Sequence, residues 1–449
     1  MPSVVSDAQM KAMLKTAYLN GVYNAKYQNS PVLAAISKEK FTGKEMKYPA
    51  QYGNGGNFGS VYSTVAQNRT GGAKNVEWVM EPGYVFGLFN INQPEILSSA
   101  DERGAYMKIL SNKMEACFDG LSKVLASYMY GGSIEGLGKA TSAVDSIQLT
   151  GNKMTVTPST AIKLDIDTRF IIKGKPEVVY TVTSIDDNNI TFDSTVASGE
   201  IKEGDVICLH TSYAKDEFRG IEGLADLIPS VADREGEEWE DYISKSFRGV
   251  DRSKAVNRLA GQFVKAESTG ETRLSDALVS LLKKCKRANG LQNVVIVNDE
   301  TWDAIGAELG IQRNLWQATN NSTSSKQSVT IGLNELATAF GDAFIGRTVI
   351  DPYCPEDRAY MLDKDDLKFY DMGNVSSAID PVAGNRGELG SVGDQGFGDT
   401  VTAKLNMDKL FTVTPDSMGE YGPEFTIAAN IFGQFALRRT ASSGVAVLK

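Results

Sequence analysis

A single histidine, His210, occurs among the 449 residues, and that scarcity removes several chemistries at once. A Ser-His-Asp or Cys-His mechanism would have to pass through it. His210 instead ends an expected strand beside Cys208, and no Gly-x-Ser-x-Gly elbow is present. Metal sites built on two or more histidines are excluded. Cysteine is also sparse: Cys117, Cys208, Cys285 and Cys354 are scattered, with no CxxC pair, so neither a zinc finger nor a redox motif is encoded. Their apolar neighbours suit buried free thiols. No apolar run approaches the roughly 20 residues that span a bilayer, so no membrane partner is expected. Met1 to Met10 lacks the basic start and apolar stretch of a secretory signal, which predicts a protein made and kept in a cytoplasm.

What is present is ordinary in bulk and uneven in place. A 42% hydrophobic content and this length suit two or three compact units. The formal net charge of −10 should repel nucleic acid overall. The first 50 residues reverse that sign, with seven lysines against Asp7, Glu39 and Glu45 for a local charge of +4. Lys11, Lys15 and Lys26 on this arm are candidate contacts for DNA or an acidic neighbour, and a solvated helix face is equally open.

Two glycine-rich stretches invite a phosphate-binding reading, Tyr52 to Ser60 (YGNGGNFGS) and Gly71-Gly72-Ala73-Lys74. Neither supplies a Lys-Ser/Thr and a helix start, so both read as loops. The acidic run with Glu235, Glu237, Glu238 and Glu240 lacks the alternating Asp spacing of a calcium loop. It reads as a solvated or intersubunit salt-bridging face. Spacing cannot exclude a carboxylate pair for glycosidic cleavage, since such pairs are distant in sequence. No catalytic residue, cofactor or metal is assigned.

The order of elements is more informative. Apolar positions Met10, Met13, Leu14, Ala17 and Tyr18 predict a helix over 6–28. Residues 31–37 (PVLAAIS) form a short apolar docking patch. Residues 41–92 mix glycine with aromatic and β-branched residues and read as an extended two-stranded arm. An isolated hairpin is marginal in water, so this arm needs a partner to lie on. Its large side chains, Tyr48, Tyr52, Phe58, Tyr62, Trp78, Tyr84 and Phe86, are the candidate intersubunit contacts.

A capping-box pair, Ser99 and Glu102, opens a helix whose apolar residues step by three and four until Gly131-Gly132 stops it. Short strands at 146–149, 169–172, 178–183, 190–192 and 205–208 make a β-barrel-like module, with Asp186 to Asn189 as a turn. A helix at 272–289, a buried strand at 293–297 and an Asn298-capped helix bearing Trp302 and Ile305 follow. Residues 317–328 and 383–399 read as exposed loops. The closing alternation from Phe425 to Val447 predicts strands that return to a sheet with earlier elements.

This order resembles the tailed-phage and herpesvirus major capsid fold, the Hong Kong-phage capsid fold, an α+β architecture. Residues 41–92 look like its extended loop and Ser99 to Gly131 like its spine helix. Residues 288–309 (ANGLQNVVIVNDETWDAIGAEL) look like its axial strand-then-helix, and FTIAANIFGQFALRRTASSGVAVLK like its closing strands. The expected domains are an N-terminal arm at 1–40, an extended loop at 41–92 and a peripheral domain with spine helix at 93–139. An inserted β domain at 140–218, a peripheral/axial connecting region at 219–290, an axial domain at 291–400 and terminal strands at 401–449 returning to the peripheral domain complete them. The resemblance implies hexamers and pentamers of an icosahedral virion capsid, assembled in a bacterial cytoplasm. It further implies a scaffolding protein and portal during assembly, packaged double-stranded DNA on the inner face, and a possible decoration protein. Residues 1–40 are too short for the cleavable scaffold segment of many relatives, so a separate scaffolding protein is expected. Two alternatives stay open, an encapsulin-type nanocompartment shell and a carboxylate-based glycan-active or glycan-binding protein.

Overall fold

The computed structural model describes residues 30–92, 109–141, 152–193, 201–230, 239–266, 274–288, 294–308, 347–372, 412–415 and 424–448, less breaks at 31, 34–35, 56–57, 68–71, 215–216 and 364. The expected helix at 6–28, the Ser99–Glu102 capping box and the loops at 317–328 and 383–399 lie outside these residues.

The chain opens with β1 (Ser37–Lys40), β2 (Met46–Gly53), a short helix α1 (Tyr62–Gln67), β3 (Lys74–Met80), β4 (Gly83–Asn92) and the long α2 (Ile109–Glu135). A β module follows: β5 (Gly138–Lys139), β6 (Lys153–Thr155), α3 (Pro158–Lys163), β7 (Arg169–Ile172), β8 (Lys175–Asp186), β9 (Asn189–Phe192) and β10 (Val206–Leu209). Small elements come next: β11 (Tyr213–Ala214), β12 (Glu217–Phe218), α4 (Leu224–Leu227), α5 (Trp239–Ser244) and α6 (Val256–Leu259). The remainder is β13 (Gln262–Lys265), α7 (Leu274–Arg287), β14 (Val294–Val297), α8 (Asp299–Glu308), β15 (Arg347–Ile350), β16 (Arg358–Leu362), β17 (Leu367–Asp371), β18 (Thr412–Pro415), β19 (Glu424–Leu437) and β20 (Gly444–Val447).

Two compact units share these elements, each built from separated stretches. In the unit formed by 82–125 and 371–433, β4 pairs antiparallel with β19 over ten residues, and β18 pairs with the other side of β19. Helix α2 packs on one face of β4. A Cβ on Gly87 would lie 2.8 Å from Cys117 Sγ and 3.1 Å from Leu121 Cγ, so a hydrogen is what lets helix and strand approach. Val85 is buried on that same face.

Among the described residues, the second unit carries four sheets of its own. The β module is a six-stranded sheet in the order β5-β10-β7-β8-β9-β6. Its two edges meet at the Ala140–Val156 bridge, reinforced by Thr141 N–H donating to Thr155 O at 3.0 Å, which closes the sheet into a barrel. Inward residues of alternating strands fill it, with Phe170, Tyr180 and Phe192 in mutual ring contact at 5.3–6.0 Å. The Asp186–Asn189 turn falls where the sequence places it, with Asp187 left-handed at φ 53°. The strand expected at 146–149 lies outside the described residues.

A mixed sheet in the order β13-β20-β16-β14-β15 is covered by α7 and α8 through Leu278, Leu281, Leu282, Cys285 and Ile305. Asn298 caps α8, its Oδ1 accepting from Glu300 N–H at 3.0 Å. The terminal strand β20 rejoins earlier strands, as the closing alternation predicts, but it lies between β13 and β16 in the sheet of β14, the expected axial strand, and not in a peripheral sheet.

Barrel and mixed sheet are joined by buried charge. Glu135, at the end of α2, pairs with fully buried Arg358 and lies 3.8 Å from Lys139. Glu356 accepts from Ser159 N–H at 2.6 Å and Ser159 Oγ–H at 2.8 Å, which caps the start of α3. Burial pushes the Lys163 ammonium down in pKa, and Glu135 and Glu356 partly offset that.

One expectation about α2 is corrected. Gly131-Gly132 does not stop the helix; the chain bends at Gly132 (φ 52°, ψ −137°) and continues to Glu135. Asp226 holds the bend, its Oδ2 accepting from Ser133 N–H and Gly223 N–H, each at 2.9 Å. A Cβ at Gly132 would stand 1.8 Å from that oxygen. Lys173 supplies donors to the carbonyls of Ser133 and Ile134 beyond the bend.

Candidate intersubunit surfaces

The ribbon of β2 and β3 alternates strictly, as a half-buried hairpin must. Tyr48 faces Trp78 and Ala50 faces Val76 in register, while Lys47, Gln51, Asn75 and Glu77 point outward and are exposed. The inward row meets a cluster supplied by Phe247, Val250, Ala255 and Leu259. Trp78 is 2% exposed, stacked with Tyr48 at 6.3 Å and edge-on to Phe247 at 6.1 Å. Arg248 fastens this root. Its carbonyl accepts from Val79 N–H at 2.9 Å, and its guanidinium donates to Glu222 at 2.7 Å and Phe435 O at 2.8 Å. Burial pushes the Tyr48 hydroxyl up in pKa, opposed by Arg248 beside it.

The candidate contact residues therefore separate. Trp78 is buried by its own chain, and Tyr48 and Tyr52 are half-buried in the same cluster. For these the expectation of a ribbon with no cover of its own is corrected. Its physical reason is a partner surface 170 to 210 residues downstream, which no local pattern announces. The tip behaves otherwise. Phe58 is 85% exposed and Tyr62 81%, and α1 buries none of its six residues. Only Val65 and Ala66 of this helix are half-buried, so among the described residues little of its own chain holds it. Val61, also exposed, extends this patch and was not among the sequence candidates.

Tyr84 and Phe86 belong to β4 in the other unit, not to the ribbon, because β4 is committed to its ten-residue ladder with β19. They stand with Leu88 on the face opposite α2, all exposed, and Phe432 meets both aromatic rings edge-on. Leu88 was missed, although the alternation Tyr84, Phe86, Leu88 is the signal that finds it. Lys11, Lys15, Lys26, Glu235, Glu237 and Glu238 lie outside the described residues. Glu240 is exposed in the first turn of α5. Among the described residues no cluster of three His, Cys, Asp or Glu side chains is arranged to hold a metal, and no helix is long and apolar enough to cross a membrane.

No family model matches the chain, and no curated protein does. Solved structures do. The chain is similar to a subunit of the cyanophage A-1(L) capsid asymmetric unit, with 12% identity, 99% of each chain covered and a TM-score of 0.55. Weaker likenesses include a protein of Mycobacterium phage Bobi (10% identity, 99% of each chain, TM-score 0.43) and the capsid of an empty GTA particle (10% identity, 99% of this chain and 98% of that one, TM-score 0.45). The chain has the fold of phage capsid subunits. More particularly, this α+β arrangement is the tailed-phage major capsid fold that the order of elements resembles.

Proposed function

We propose that this chain is the major capsid protein of a tailed bacteriophage, assembling as hexamers and pentamers of an icosahedral head around double-stranded DNA. The observation that carries the reading is a capsid-subunit fold over 99% of the chain, coupled to a ribbon tip with no cover of its own. Phe58, Val61 and Tyr62 are its contact residues on a neighbouring copy. Each contact is modest, and repetition around every subunit supplies the avidity that closes a shell. The basic arm with Lys11, Lys15 and Lys26 serves DNA or an acidic neighbour. The acidic stretch with Glu235, Glu237, Glu238 and Glu240 serves ion pairs between copies. Scaffolding protein and portal act during assembly, and a decoration protein is an outer partner. The role is structural and not enzymatic.

The test is negative-stain microscopy of the expressed chain, alone and with the products of adjacent genes. Closed shells of uniform diameter support the proposal. Monomers in every combination at high concentration overturn it.

A further inference from the structure

Strand β4 has, among the described residues, one edge without a partner strand. Among the described residues its only ladder is with β19, and its other row of N–H and C=O groups faces no described strand. Its ten residues, GYVFGLFNIN, contain no charge and no proline. Edges of that length are ordinarily blunted, because an unpaired row of backbone groups templates another strand. Neighbouring strands show the usual devices. β1 is Ser-Lys-Glu-Lys with Lys38 and Lys40 exposed, and β18 is four residues long and ends at Pro415. β4 has neither.

We propose that the β4 edge pairs antiparallel with the β4 edge of a second copy, about a twofold axis, to make one sheet across two subunits. A strand that meets its own copy sets its outward side chains among copies of themselves. Any charge there would face a like charge. The outward row Tyr84, Phe86 and Leu88 has none, and pairing places two such apolar rows side by side. The opposite face is already filled by α2 at Val85 and Gly87, so the edge is presented on a backed strand.

Area sets the strength. The three side chains are 43%, 61% and 65% exposed. With roughly 150–250 Å² for a large side chain, they offer on the order of 300 Å² per copy. That is well short of the roughly 800 Å² per partner of a lasting interface. The contact is a weak twofold that contributes when repeated, not a permanent dimer. It goes beyond the capsid proposal and is separable from it.

Single cysteines at Tyr84, Phe86 and Leu88 in the full chain, oxidised mildly at high concentration, test the pairing by non-reducing electrophoresis and mass mapping. In a twofold pair, like residues come together only at the axis. Dimer yield should therefore peak at one position, or at two adjacent outward positions, and fall steeply elsewhere. Placing Phe86→Lys in the best cross-linking background should cut the yield at least about tenfold, with only the small melting shift expected from losing the Phe432 ring contact. Equal yields at all three positions, no dimer at any, or disulfides formed only with Cys117, Cys208, Cys285 or Cys354 would overturn it. Microscopy on the same samples reads the two ideas apart: shells without the β4 cross-link sink this pairing alone, and the cross-link without shells sinks the capsid reading alone.

Discussion

Replacing Trp78 by alanine separates the two halves of the ribbon more sharply than any deletion. Trp78 is 2% exposed, and its indole lies between Tyr48, Phe247 and the Val250–Leu259 cluster. About 200 Å² of buried ring at about 25 cal/mol per Å² gives roughly 5 kcal/mol, an upper figure that agrees with the roughly 3–5 kcal/mol typical of Trp→Ala in a core. That loss falls on the root, where Trp78 is the most buried side chain that β2 and β3 bring to their contact with Val250 and Leu259. Hydrogen exchange read by mass spectrometry on peptides covering 46–53 and 74–80 measures it directly. Their amides should exchange on the order of 10² to 10³ times faster than in the parent chain. Tyr62→Ala should leave the same amides unchanged, since Tyr62 is 81% exposed, and should lower shell yield instead. Unaltered protection in Trp78→Ala would show that the root is not fastened by its own chain, and the division into buried root and free tip would fail.

Three further outcomes follow from buried groups in the second unit. Arg358→Met strands Glu135 without its main cation and should destabilise the chain by about 3–5 kcal/mol in urea titration, with much of that recovered in the double variant Arg358→Met, Glu135→Leu. Burial, with Glu222 nearby, raises Asp226 from 3.8 to about 6 despite its hydrogen bonds from Ser133 and Gly223. The folded chain then holds a proton that the unfolded chain releases, so Asp226 should add stability as pH falls from about 6 towards 4. Urea midpoints across pH 4–7 should show that component in the parent and not in Asp226→Asn. Gly132→Ala forces a Cβ to 1.8 Å from Asp226 Oδ2 at a left-handed φ, and should either abolish soluble expression or lower the melting midpoint well beyond Gly120→Ala, where nothing lies within 4 Å.

Much of the fold was legible because its signals are local. The barrel strands announce themselves by period-two alternation and turn residues, and α7, β14 and the Asn298 cap fall within a residue or two of their expected places. The α2 stripe was legible for the same reason, but its end was not. Gly131-Gly132 reads as a stop only until Asp226, nearly a hundred residues away, supplies the donors' partner that lets the chain bend and go on. Arg248 had no signature at all. It is a buried arginine at φ 51° whose partners are Glu222, Tyr48 and the Phe435 carbonyl.

Alternation and capping therefore determined which elements exist and the barrel-like character of the module, since each depends on residues a few positions apart. The tertiary structure decided which apolar side chains remain for a neighbour. Trp78 and Phe58 look alike in the sequence, both aromatic in a glycine-rich arm. Exposure is a property of what the rest of the chain places opposite a side chain, and only the folded molecule brings Phe247, Val250 and Leu259 to one and leaves the other bare.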